Sequence, residues 1–166
     1  MGKRTGLGHV ETLMENLNRD LQMSGSTLHY KKANSAPTGT STQLTAADTG
    51  KVIFMDASSA NTVTLPAVAD TSAGWHIKVI LMETGAAGIV QTSGTEDKLM
   101  GQVNVVDADG STQTVTNDAD GDTITFVNGC LAGAWVEIIS NGNMFFVHGF
   151  GTHATDSNKL TLTKAD

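Results

Sequence analysis

From about residue 44 onward the chain is a succession of short apolar runs, cut by clusters of Gly, Asn and Asp. That pattern is what most restricts its fold. Runs of four to eight residues with period-two alternation are strand signals, and no helix-length stretch lies between them. The runs are Lys51–Asp56, Thr62–Pro66, Trp75–Met82, Gly88–Thr92, Leu99–Val106, Thr123–Val127, Ala134–Ile139, Met144–Val147 and Leu160–Thr163. Pro66 ends its run because proline cannot donate to a ladder. Asn141-Gly142 between two apolar runs is the strongest short-range hairpin signal in the chain. With no helices to make crossovers, a parallel βαβ architecture is excluded at this level. The fold class expected is mainly β: an antiparallel β-sandwich or jelly-roll-like body preceded by an N-terminal α-helix.

Composition agrees. Thr and Ser number 23 and 11, about a fifth of 166 residues, beside 18 Gly and only 2 Pro. Threonine suits half-buried strands and glycine suits turns. Charged residues are 16%, too few for a solvated helical bundle or for acidic disorder. The net charge of -7 argues against a nucleic-acid partner. No window has the apolar length of a membrane span, and the N-terminus has no signal-peptide apolar region, so no membrane partner is expected.

The acidity is not uniform. Residues 1–36 hold five bases (Lys3, Arg4, Arg19, Lys31, Lys32) and three acids, whereas residues 37–166 hold five bases and fourteen acids. A weakly basic leader thus precedes an acidic body, an asymmetry typical of a segment with its own partner. Within the leader, Val10, Met14, Leu17 and Leu21 are spaced 4, 3, 4, with Leu13 beside them. The spacing predicts a helix over 7–23, with Thr5 as N-cap and Ser24-Gly25 as its stop. Val10, Leu13, Met14, Leu17 and Leu21 are the candidate partner-binding residues; the competing account packs the stripe on the chain's own body. Residues 33–43 are small, polar and broken by Pro37 and Gly39, and read as a linker. The organisation expected is a helical arm at 1–32, a linker at 33–43 and a β-sandwich body at 44–166.

Chemistry is sparse. Asp107-Ala-Asp-Gly-Ser111 and Asp118-Ala-Asp-Gly-Asp122 resemble the start of a calcium loop. Neither has Gly at the sixth place or Glu at the twelfth, so both read as turns and no metal ligand is assigned. His9, His29, His76, His148 and His153 show no metal-binding spacing and read as surface or half-buried residues. Cys130 has no partner for an intrachain disulfide, no histidine fixed beside it in sequence and no basic cluster, and reads as structural. Nucleophile-elbow, phosphate-loop and dinucleotide motifs are missing. A carboxylate pair of the glycosidase kind stays open, but aromatics are only 5%, and Trp75 and Trp135 both read as core. The expectation is a protein without catalytic residues or cofactor.

Gln43-Leu-Thr-Ala-Ala-Asp-Thr-Gly-Lys51, Asp56, Thr62-Val-Thr-Leu-Pro66 and Ala73-Gly-Trp75 nevertheless resemble, together, a module common in tailed-bacteriophage virion proteins. Gly133-Ala-Trp-Val-Glu137, Asn141-Gly142, Phe146-Val147 and Gly149 continue the likeness, which covers about residues 42–150. The resemblance implies a compact β-sandwich, usually a homotrimer, on capsid surfaces or in tail fibres. It makes the expected function a head decoration (cement) protein of the virion, made in the host cytoplasm, with the major capsid protein and its own copies as partners. A tail-fibre or host-recognition module is the alternative. The leader and everything after Gly151 fall outside the likeness.

Overall fold

The computed structural model describes residues 21–23, 26–28, 34–35, 41–56, 60–85, 87–94, 98–153 and 160–163. By internal contacts the chain divides into two units, Met1–Lys31 and Lys32–Asp166. The described part of the first unit is a small antiparallel pair, β1 (Leu21–Met23) and β2 (Ser26–Leu28), with Leu21 opposite Leu28. This corrects the expected helix at its C-terminal end. Leu21 belongs to a strand, and Ser24-Gly25 falls between two paired strands instead of stopping a helix. Ladder pairing with Leu28 holds Leu21 in a strand and overrides the helical spacing, which is only a local signal. Residues 7–20 of the expected helix lie outside the described residues.

The second unit contains two sheets. In chain order its strands are β3 (Asn34–Ser35), β4 (Ser41–Gln43), β5 (Lys51–Met55), β6 (Asn61–Thr64), β7 (His76–Leu81) and β8 (Gly88–Gln91). They continue with β9 (Leu99–Val106), β10 (Thr112–Gly121), β11 (Thr123–Phe126), β12 (Trp135–Ser140), β13 (Phe145–Thr152) and β14 (Leu160–Thr163). One sheet has seven strands in the order β10-β9-β13-β12-β7-β5-β3; the other has five, β14-β11-β8-β6-β4.

Both sheets are mixed, which corrects the expected antiparallel arrangement. The pairs β3/β5, β5/β7, β4/β6, β6/β8 and β9/β13 are parallel. Their physical origin is a winding path. From β3 to β8 each strand belongs to the sheet opposite its predecessor, so neighbours within a sheet are separated by one strand of the other sheet. That intervening strand returns the chain to its starting end, the service a helix performs in a βαβ unit. The later strands pair mostly by antiparallel hairpins, β9 with β10 and β12 with β13. The expected linker 33–43 is also corrected: its residues supply an edge strand to each sheet, β3 beside β5 and β4 beside β6.

Alternating residues of both sheets form one apolar core, including Met55, Val63, Ile77, Leu99, Ile124, Phe126, Ile138 and Phe145. Trp75 joins it as expected, 2% exposed and edge-on to Phe145 at 5.7 Å between ring centroids. Gly88 lies where a Cβ would strike the Met55 sulfur, so the two sheets approach closely there. The Asn141-Gly142 hairpin forms as read: Asn141 Oδ1 accepts from the backbone N–H groups of Asn143 and Met144 at 2.9 and 2.8 Å.

The stretch 43–51 forms the corner leading from β4 to β5. Gln43 Nε2 donates to the Leu65 carbonyl at 3.0 Å, and Thr45 and Asp48 form a reciprocal cap on the 3-10 turn Ala46–Asp48. Asp48 Oδ2 accepts from Thr45 N at 2.7 Å and Thr45 Oγ1 at 2.8 Å, and Lys51 Nζ lies 2.5 Å from Oδ1. Burial pushes this carboxyl up, but the Lys51 ammonium and the Thr45 donors outweigh it and hold the pKa at about 2, below the usual 3.8. A depressed carboxylate pKa stabilises the fold above the unfolded value and loses that effect as pH falls through the folded one. Asp48→Asn is therefore expected to cost about 1 kcal/mol or less at neutral pH. The difference from wild type in urea unfolding should shrink between pH 4 and pH 2.

Candidate interaction face

Strands β5, β7, β12 and β13 bury one side each and leave the other outward, because side chains alternate across a pleated sheet. Their inward residues are mostly aliphatic or aromatic, as the core requires, with Ser140, Gly149 and Gly151 among the exceptions. Their outward residues are unusual in being largely apolar as well. The ladder registers align them into rows that run across the strands.

The first row is Phe54, Ile80, Trp135 and Phe150, each directly opposite the next on the neighbouring strand. The second row is Val52, Lys78, Glu137 and His148. The third is His76, Ile139, Phe146 and, on β9, Met100. Phe146, Phe150 and Ile139 are exposed, at 41%, 39% and 45%, and the remaining apolar members are half-buried. A band of charge thus runs between two apolar bands on one sheet face. Contiguous apolar surface of this kind marks interaction sites, whereas isolated exposed apolar residues do not.

Trp135 is held in place from two sides. Lys78 Nζ sits 4.1 Å from its ring centroid, and the His148 ring meets it edge-on at 5.5 Å. Its assignment to the core is thereby corrected. Trp135 has the same parity in β12 as Glu137, and both point outward. That shared parity is the sequence signal that distinguishes it from Trp75. The adjacent pairs Ile138-Ile139 and Phe145-Phe146 carry the same message, since an apolar residue on each parity makes a strand apolar on both faces.

The other sequence candidates are placed as follows. Val10, Leu13, Met14 and Leu17 lie outside the described residues, and Leu21 is in β1. Asp107–Ser111 forms the turn between β9 and β10, where Asp109 Oδ1 accepts from Ser111 N at 2.7 Å and Gly110 N donates to Asp107 O at 2.9 Å. The hydrogen bonds from Ser111 hold the Asp109 carboxyl below its usual range. The second acidic stretch is not a loop: Asp118–Gly121 is the end of β10, at an irregularity where Asn117 faces Gly101 and Gly121 faces Leu99. Among the described residues, no cluster of three His, Cys, Asp or Glu has metal-binding geometry.

His153 departs from the expected surface or half-buried setting. It is buried, its Nε2 lies 3.1 Å from the Asn128 carbonyl, and its backbone bridges to Cys130. A histidine therefore does stand beside the cysteine in the fold, although 23 positions separate them in sequence. Burial pushes the Cys130 thiol up to about 11, leaving it protonated near neutral pH. No helix among the described residues is long and apolar enough to cross a membrane. Compared with known proteins, the chain matches no family model, no curated protein and no solved structure.

Proposed function

We propose that this chain is a non-enzymatic structural protein of a tailed-phage virion: a head decoration (cement) protein. In this reading a β-sandwich body, built of the two sheets, associates as a homotrimer, and the leader grips the major capsid protein. The observation that carries it is the agreement between the resemblance and the role of its residues. Gln43, Thr45 and Asp48 tie a corner, Gly74 N donates to the Ser140 carbonyl at 2.8 Å, and Gly133 N donates to the Leu81 carbonyl at 2.8 Å. These shared positions act as joints of the fold and carry no chemistry of their own. A structural module needs such joints together with a surface for assembly, and the sheet face described above supplies that surface. The exposed rings Phe146 and Phe150 belong to strand β13 and to a sheet face, which favours packing against a protein wall over host recognition at the end of a fibre.

The test is direct. Immunogold labelling of virions from the encoding phage should place this chain over the head. Label at the fibre tips favours the tail-fibre alternative, and virions without label overturn both. The leader's part is tested separately by removing residues 1–31, the whole first unit. The remaining body is expected to stay folded and soluble, with a cooperative urea-unfolding transition, while binding to stripped heads falls by at least about tenfold. Repetition on a lattice makes modest contacts add, so losing an apolar arm should be felt strongly in particle binding. A truncated body that decorates heads normally removes the leader from the proposal.

A further inference from the structure

We propose that the outer face of the seven-stranded sheet is where a second copy of this chain packs, about a rotation axis running along the strands in front of the β7–β12 boundary. The inference deepens the proposed self-association and rests on it, though not on the virion reading.

The rows of the face carry the inference. Along the central row, Lys78 lies on β7 and Glu137 on β12, to either side of that boundary. No ion pair joins Lys78 or Glu137 to another described residue, and both side chains stand at the surface of the face. A rotation about an axis parallel to the strands brings the β5–β7 half of one face against the β12–β13 half of the next. Lys78 then meets Glu137 of the other copy. The same operation lays the row Phe54, Ile80 against the row Trp135, Phe150, apolar on apolar. Charge and apolar bands therefore match in a single register, and they match for a two-fold or a three-fold closure alike. A shift by one row would set charges against rings and leave them desolvated and unpaired, which penalises the wrong register. Pre-ordering adds to this: Trp135 is already clamped by Lys78 and His148, so less side-chain freedom is lost on packing.

Phe54 and Phe150 are separated within one chain by three strand spacings, about 14 Å, beyond the reach of a short bis-maleimide joining cysteines placed there. Between copies packed as proposed, the two positions face each other. The experiment is sedimentation velocity of the wild-type full chain, followed by treatment of Phe54→Cys/Phe150→Cys and of each single variant with a short bis-maleimide, which spans the gap of about 10 Å between facing sheets where a disulfide would not. Cys130 is buried and does not compete. The wild type is expected to sediment as an oligomer at micromolar concentration. The double variant should become a covalent dimer or trimer on a non-reducing gel, according to the symmetry, and the single variants should not. If the wild type assembles but the double variant stays unlinked, the face is not the interface and the self-association reading survives. A wild-type monomer overturns both. Should the double variant fail to fold, Phe150→Glu decides instead: one exposed ring is changed, and association should weaken by at least about tenfold. Unchanged association overturns the proposal.

Discussion

Replacing Gly101 by alanine is expected to destabilise the second unit by at least about 3 kcal/mol, a large fraction of the about 5–15 kcal/mol that holds a typical domain folded. Gly101 is the third residue of β9 and has φ +147, a conformation that side chains rarely adopt. The space is also occupied: a Cβ there would lie 2.0 Å from the Val147 carbonyl oxygen and 2.8 Å from its nitrogen. Those atoms belong to the parallel partner strand β13, paired Val147 to Gly101, and cannot swing aside as a side-chain tip can. On the other flank Gly101 pairs with Asn117, where the β10 ladder goes out of step. Relief requires β9 to part from β13 or from β10. Strain and lost ladder bonds thus add, whereas a surface Gly→Ala change ordinarily costs little or stabilises. Urea unfolding followed by tryptophan fluorescence checks this, and a Gly101→Ala protein within 1 kcal/mol of wild type would refute it.

Gly101 also shows where sequence reading reached its limit. The run Leu99–Val106 is read from its alternation with the bounds the structure gives it, and so is Leu160–Thr163. What alternation cannot reveal is which strand lies alongside. The parallel pairing of β9 with β13 joins residues more than forty positions apart, and the early parallel pairs arise from the chain's alternation between sheets, a property of the whole path. β10 escaped for a different reason. Thr112–Gly121 contains Asn117, Asp118 and Asp120, has little apolar periodicity, and is held as an edge strand by its ladder to β9. Asp-Gly pairs signal turns, and here only the first of the two does so. For the face, the information was present but divided. The parity of Trp135 with Glu137 and the doubled apolar pairs are local, while the rows emerge only once the registers of four strands are known.

The two tryptophans should respond oppositely to truncation. Trp75→Ala is expected to cost about 3–5 kcal/mol, in the range for large aromatic-to-alanine changes in cores. Trp75 is 2% exposed, packs edge-on against Phe145, and lies in the corner where its backbone N–H reaches the Ser72 carbonyl at 3.1 Å. Its removal leaves a cavity bounded by paired strands that have little freedom to collapse. Trp135→Ala removes a ring of the same size from the outer face. What it gives up is the cation–π contact with Lys78, the edge contact with His148 and partial burial, together about 1 kcal/mol in the separated subunit. Chemical denaturation of both variants at low protein concentration measures the contrast. The comparison gains a second reading at high protein concentration, where binding to the folded state adds apparent stability. If the face packs against another copy, Trp135→Ala should lose the concentration dependence of the wild-type midpoint while Trp75→Ala keeps it. Equal costs for the two substitutions, or a concentration dependence untouched by Trp135→Ala, would contradict the placement of that ring at a subunit contact.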